Sequence, residues 1–335
     1  MVKKILWFVL ILILFLPTII LYQVYVPIDE SSTTTITINI QRGMGLKEIA
    51  RLLHDEGIIR DGFAFELVTT FKKVQSEIKA GEYALSPSLN MLQILSELVN
   101  GNYLKSHITI PEGYNIYQIA ELLAKKGFGN KERFIRLTQD KEFISRLGIS
   151  ANTLEGYLFP ETYCLFKGAK EEEIIKIMVA QLRKVITPED ENQARSLGLS
   201  FHQILTLASI IEKETSDDEE RRLVSAVFHN RLKANISLES DPTVIYALLP
   251  DFDGNLKRDD LFIDSPYNTY KYKGIPSGPI ASPGLKAIEA ALHPAPVDYL
   301  YFVAMNNGKH KFSTHRREHK EAVLKYQSMG SKPQN

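Results

Sequence analysis

The chain has 335 residues, with Lys+Arg and Asp+Glu balanced at 40 each, 44% hydrophobic and 24% charged residues. That composition is globular, with ample core, and shows neither a basic nucleic-acid surface nor an acidic tail, so nucleic acid is not an expected partner. One cysteine, Cys164, excludes an internal disulfide, a multi-cysteine zinc site and an iron–sulfur site.

Ile5 to Val26 (ILWFVLILILFLPTIILYQVYV) carries no charge. At about 1.5 Å per residue, a helix of that length matches a hydrocarbon core of about 30 Å. Lys3 and Lys4 precede it, and Asp29 and Glu30 follow. The positive-inside rule then leaves residues 1–4 as a cytoplasmic tail, 5–26 as a single-pass anchor in the cytoplasmic membrane, and the rest on the extracytoplasmic side. A cleaved signal peptide would have a shorter apolar region and a small-residue cleavage site. The exit Tyr22-Gln23-Val24-Tyr25-Val26 has none.

Residues 27–36 read as a polar linker. A repeat follows at an offset of 70 residues, Ile38 against Ile108: INIQRGMGLKEIARLLHDEGI (38–58) aligns without gaps with ITIPEGYNIYQIAELLAKKGF (108–128). Each copy predicts an alternating strand, a turn at Gly43 or Gly113, and an amphipathic helix stopping before Gly57 or Gly127. Between the copies, 79–85 reads as a strand. Residues 90–100 read as a helix with Met91, Ile94, Leu95 and Leu98 on one face. The unit resembles the LysM module, a fold associated with N-acetylglucosamine polymers. It would either contact glycan or serve as a scaffold alone.

Residues 131–327 form the expected catalytic domain and 328–335 a flexible tail. The first part has a long helical region, about 172–234. A Pro/Gly/Tyr/Asn-rich stretch follows to about 285, then a strand at 299–305 and a last helix from about 315. The fold class is therefore α+β: one membrane helix, a LysM-like α+β module over 37–130, and a mixed α+β catalytic domain.

Ser200-x-x-Gln203 is a capping box ahead of FHQILTLASIIEKE, and Ser216-x-x-Glu219 reads as a second. The first helix must then end near Glu214-Thr215. A carboxyl there faces the negative end of the macrodipole, which favours its neutral form. Glu212 and Glu214 point about 200° apart. Periodicity does not choose between them. Position favours Glu214, which lies nearer the junction.

Seven stretches carry a family resemblance: LEGYLFPETY (154–163), LASIIEKET (207–215), DPTVIYAL (241–248), SPYNTY (265–270), GIPSGPIASPG (274–284), ALHPAPVDYLYFVA (291–304) and FSTHRREH (312–319). In this order they resemble the endolytic murein transglycosylase family. The resemblance implies cleavage of peptidoglycan glycan strands between N-acetylmuramic acid and N-acetylglucosamine, leaving 1,6-anhydro ends. It carries the catalytic role to Glu214, followed by Thr215, and it implies work beside elongating peptidoglycan synthases. The reaction needs no cofactor. Ordinary glycosidases use two carboxyls; this reaction needs one acid, because the sugar's own C6 hydroxyl replaces water. A muramidase-type hydrolase and a non-catalytic glycan-binding scaffold are the rival readings.

The Tyr/Asn-rich stretch supplies side chains that bond sugar hydroxyls or stack on sugar faces. Candidate substrate contacts are Asp241, Thr243, Tyr246, Tyr267, Asn268 and Tyr270, with Glu161 and Tyr163 from the earlier motif and Thr215 beside Glu214. His315-x-x-Glu318-His319 matches an inverted zinc-peptidase signature. A catalytic zinc wants a third protein ligand. After His319 the only carboxylate side chain is Glu321, so no metal is expected; the segment reads as a solvated helix packing through Ala322, Val323 and Tyr326.

Overall fold

The structure, a computed structural model, describes residue 15 and residues 17–327. The tails at 1–4 and 328–335 and half of the expected span (5–14 and 16) lie outside the described residues. The end of that span is helical over 17–25 (α1). No helix among the described residues is long and apolar enough to cross a membrane.

The chain forms two compact units. One runs to Ile108 and takes in Gly127–Gly129 and Cys164–Lys170; the other holds the remainder. The division falls inside the second copy of the repeat.

The first unit contains α1, β1 (Ile36–Ile40), α2 (Leu46–Asp55), α3 (Gly62–Phe71), β2 (Gly81–Leu85), α4 (Met91–Asn100) and most of β3 (Lys105–Thr109). β1 and β2 are antiparallel, with Ile36 opposite Leu85 and Ile40 opposite Gly81. Period-two alternation buries Ile38 and Ile40 and leaves Thr37 and Asn39 exposed. Ile49, Ala50 and Leu53 of α2 close over that face, as do Met91, Ile94, Leu95 and Leu98 of α4. Gly57 takes the left-handed conformation past the end of α2, with φ +70°, as a helix stop there requires. Gly81 is glycine for space: a Cβ would enter the Tyr103 ring, which stacks on Phe166 at 4.2 Å.

The later elements are α5 (Ile116–Lys125), α6 (Lys131–Gln139), α7 (Lys141–Arg146), β4 (Thr162–Phe166), α8 (Glu171–Val185), α9 (Pro188–Ser196), α10 (Phe201–Glu214), α11 (Asp218–Lys233), α12 (Asp241–Ala247), a 3-10 turn (Arg258–Phe262), α13 (Leu285–Leu292), β5 (Tyr301–Ala304), β6 (His310–Ser313) and α14 (Arg316–Tyr326). β3 pairs with β4, so the second copy repeats the strand–helix–helix–strand order of the first, with one helix added. β5 and β6 form an antiparallel hairpin.

α10 is the axis of the second unit. Ile204 to Ile211 are all buried. A helix apolar on every side must be covered on every side. α13 packs on it, presenting Ala287, Ile288, Ala290 and Ala291. α11 adds Val224, Val227 and Phe228, and α9 and α12 also pack on α10. The mixed α+β class expected from the sequence is what the chain adopts.

Candidate active site

Ser200 caps α10 as its capping box requires, its Oγ accepting from Gln203 N. The helix ends at Glu214. Thr215 turns extended, at φ −146° and ψ 139°. The next cap departs from the expected Ser216. Asp217 caps α11, its carboxylate accepting from Glu219 N, while Thr215 Oγ1 accepts from Asp217 N. Asp217 wins because a carboxylate is the stronger acceptor at the positive helix end.

The two glutamates of EKET diverge. Glu212 is 7% exposed. It accepts from Arg221 Nη1 at 3.1 Å and from Gly284 N at 3.0 Å. One turn earlier, Ser209 Oγ accepts from Ile280 N at 3.0 Å. These side chains therefore pin the 274–284 loop along α10. A Cβ at Gly284 would collide with the Glu112 carboxylate, whose pKa is raised by burial first and by Glu212 next. Glu212 is thus committed to joining α10, α11 and the loop.

Glu214 faces a cavity of about 380 Å³, shared with Glu239, Asp241, Tyr270, His310 and His319. Its pKa is pushed up to about 6. Burial is the main cause; Asp241 adds to it, while the Ser240 hydroxyl and His310 oppose it. Ser240 stands at the N-cap of α12, but its side chain makes no capping bond; its hydroxyl instead donates to Glu214 Oε1. His310 is held by the buried Glu220, which accepts from its N–H at 2.9 Å and binds its Nδ1 at 2.7 Å. Arg231 reaches the carbonyls of Ser237, Leu238 and Leu300 and the Glu239 carboxylate. It thereby fixes the segment before Ser240, where Glu239 sits at φ +52°, an uncommon conformation for a side chain of that size.

Of the residues singled out from sequence, Glu214, Asp241, Tyr270 and His319 meet in this cavity. The Tyr270 hydroxyl donates to Asp241 Oδ1 at 2.5 Å. Thr243 is fully buried, bonding Ser240 O and Thr269 Oγ1. Asn268 is buried too and organises its loop, Nδ2 donating to Leu261 O and Ile263 O while Oδ1 accepts from Tyr270 N. Thr215 serves the junction described above. Tyr163 donates its hydroxyl to Phe159 O. Glu161 is exposed, its carboxylate accepting from Thr162 N. The Tyr246 and Tyr267 rings meet at a tilt of 57°, centroids 4.9 Å apart, and Tyr246 also bonds the buried Glu155; neither lines the cavity. Sequence reading passed over Ser240, Glu239, Arg231, Glu220 and His310. Ser240 carried one local signal, a serine directly before Asp-Pro at a helix start. The others reach the site only through tertiary packing.

A single acid of raised pKa, fixed at the end of a buried helix and open to a polar cavity, defines an enzyme of the general-acid type. The chain belongs to the YceG-like family, whose model matches residues 38–325. It is 36% identical over 316 residues to the endolytic murein transglycosylase of Bacillus subtilis, covering 90% of this chain and 87% of that one. It is 32% identical over 336 residues to the enzyme of that name from Streptococcus pneumoniae serotype 2, of which it spans 60%. A crystal structure of a YceG-like protein from Listeria monocytogenes superposes with a TM-score of 0.60 at 34% identity, covering 87% of this chain and 99% of that one.

Proposed function

We propose that the chain is an endolytic lytic transglycosylase that cuts peptidoglycan glycan strands between N-acetylmuramic acid and N-acetylglucosamine. The observation that carries this reading is Glu214: a buried carboxyl with pKa about 6, lining a cavity large enough for a sugar.

In this reaction Glu214 gives its proton to the bridging oxygen as the bond from C1 of N-acetylmuramic acid breaks. The resulting carboxylate takes the proton of the same sugar's C6 hydroxyl, and O6 bonds to C1. One C–O bond breaks and another forms, no water enters, and Glu214 ends protonated. Burial favours the neutral acid at the start. The Ser240 hydroxyl stabilises the carboxylate midway and holds its rotamer. Asp241 and Tyr270, bonded to each other in the same cavity, offer polar groups to sugar hydroxyls. Thr215, Thr243 and Asn268 order the segments that carry them, and neither these nor Glu161, Tyr163, Tyr246 and Tyr267 line the cavity.

In this reading residues 5–26 anchor the chain in the cytoplasmic membrane, with the catalytic unit outside. The anchored enzyme cuts new strands near the membrane, beside peptidoglycan synthases, and so terminates their elongation. The strand–helix–helix–strand order of the first unit supports a LysM-like module there.

Asp241 keeps a second reading in view. It places another carboxylate in the cavity, as a muramidase-type hydrolase would need. Its engagement with Tyr270 favours the transglycosylase. Purified glycan strands cut by the full chain are expected to end in anhydro sugars, lighter by one water than reducing ends in mass spectrometry. Reducing ends would establish the hydrolase, and no new ends a scaffold.

Ser240→Ala removes a bond that lowers the Glu214 pKa. The alkaline limb of the activity profile is expected to move to higher pH, with a lower maximal rate. An unmoved limb would show that Ser240 does not act through Glu214.

A further inference from the structure

Exposed apolar surface is concentrated in one place on the first unit. Phe63, Leu67 and Phe71 are 71%, 44% and 86% exposed. They recur every four residues along α3, which fixes them as one stripe. The opposite face of α3, with Ala64, Phe65 and Thr69, is buried in the core. Beside the stripe lies the exposed side of α1, with Leu21, Tyr22 and Tyr25 all more than half exposed. A cavity of about 480 Å³ lies between, lined by Ile20, Leu21 and Val24 of α1 and Leu67 and Phe71 of α3. Contiguous exposed apolar surface of this kind marks an interaction site.

We infer that α3 lies in the interfacial layer of the bilayer, with Phe63, Leu67 and Phe71 among the acyl chains. This rests on the anchor reading above. A span from Ile5 to Val26 would rise about 33 Å against a hydrocarbon core of about 30 Å, so its last turns stand at the membrane–water boundary. Those turns are not bare. Val24 is buried in the core of the first unit and Ile20 packs against it. Arg60, just before α3, donates to the carbonyls of Pro27 and Ile28 and lies over the Tyr22 ring at 5.6 Å. α3 is therefore held level with residues 20–25, a rise of about 7 Å. Amphipathic interfacial helices sink about 5–10 Å. Charge fits as well: Lys72 and Lys73, both exposed, follow the stripe at the end of α3, placed to meet lipid phosphates.

The test uses the full chain in vesicles of phosphatidylglycerol and phosphatidylcholine, with Cys164→Ser as background. A polarity-sensitive dye is attached to one introduced cysteine at a time: Phe71→Cys, Tyr25→Cys, or, as the control on the second unit, the exposed Leu324→Cys. Nitroxide-bearing lipid then reports proximity. Quenching at both position 71 and position 25, at least twofold above position 324, is the expected result. Quenching at position 25 with position 71 at the control level would overturn the docking of α3 while leaving the anchor standing; the stripe would then await a protein partner. Loss at both positions would overturn the anchor reading, and this inference with it.

Discussion

Glu214→Gln is expected to reduce cleavage of purified glycan strands by at least the 10²–10⁴-fold ordinarily supplied by a positioned acid and base. The folded chain should be retained, because the amide still accepts from Ser240 and no longer carries a charge that burial opposes. The matched control is Glu212→Gln. That substitution leaves Arg221, itself 7% exposed, with Asp218 as its remaining ion-pair partner, and weakens the grip on Gly284 N. Removing one member of a buried pair costs about 3–5 kcal/mol, and Asp218 brings the expected loss toward the lower end. Glu212→Gln should therefore lower the melting temperature clearly while the folded fraction keeps activity within a few-fold. The two variants thus separate chemistry from architecture: one loses turnover and keeps stability, the other does the reverse. The opposite pattern would transfer the role to Glu212.

The same assignment fixes the sign of the pH dependence. Glu214 must begin protonated, and its pKa is about 6. kcat/KM should be level below that value and fall toward a tenfold loss per pH unit above it. A profile that instead rises through pH 6 would mean that the carboxylate is the starting form, as for a base acting on water.

Much of this arrangement was legible because it is local. The repeat, the glycine stops and the Ser200 cap each depend on a few neighbouring residues. So does the divergence of Glu212 from Glu214, which follows from 100° per residue. What escaped reading is non-local or competitive. β6 (His310–Ser313) follows its partner β5 too closely, and is too short, to show an alternating pattern. β4 pairs with β3 across more than fifty residues, Thr109 Oγ1 meeting Thr162 Oγ1 at 2.8 Å. Ser216 and Asp217 are adjacent residues both able to cap, and strength of acceptance decided between them. Tyr, Asn and Thr side chains in the 241–270 stretch read alike in sequence, although Thr243 and Asn268 build the loop and Tyr270 faces the cavity. Burial separates them, and burial is set by the whole fold.

Glu155 shows the second large effect, on stability. It is 1% exposed, and burial pushes its pKa up to about 7. Hydrogen bonds from the N–H of Ile116, at the start of α5, from Tyr246 and from the N–H of Gly156 partly offset that. Unfolded, the same carboxyl titrates near 4.5. Between these values the folded chain binds the proton and the unfolded chain does not, so stability falls as pH rises. The contribution is fully present below about pH 4.5 and is lost as pH climbs through about 7, a total of about 3 kcal/mol. Glu155→Gln keeps a neutral polar group in place and removes the titration. The variant should therefore gain on the parent from pH 5 to about pH 7 and level off above it when melting temperatures are compared in the detergent-solubilised full chain, and gain little near pH 4.5. A constant difference across that range would mean that the Glu155 carboxyl is already ionised in the fold, held by α5, Tyr246 and Gly156. The LEGYLFPETY segment would then be secured by a charge at a helix N-terminus instead of by a neutral acid.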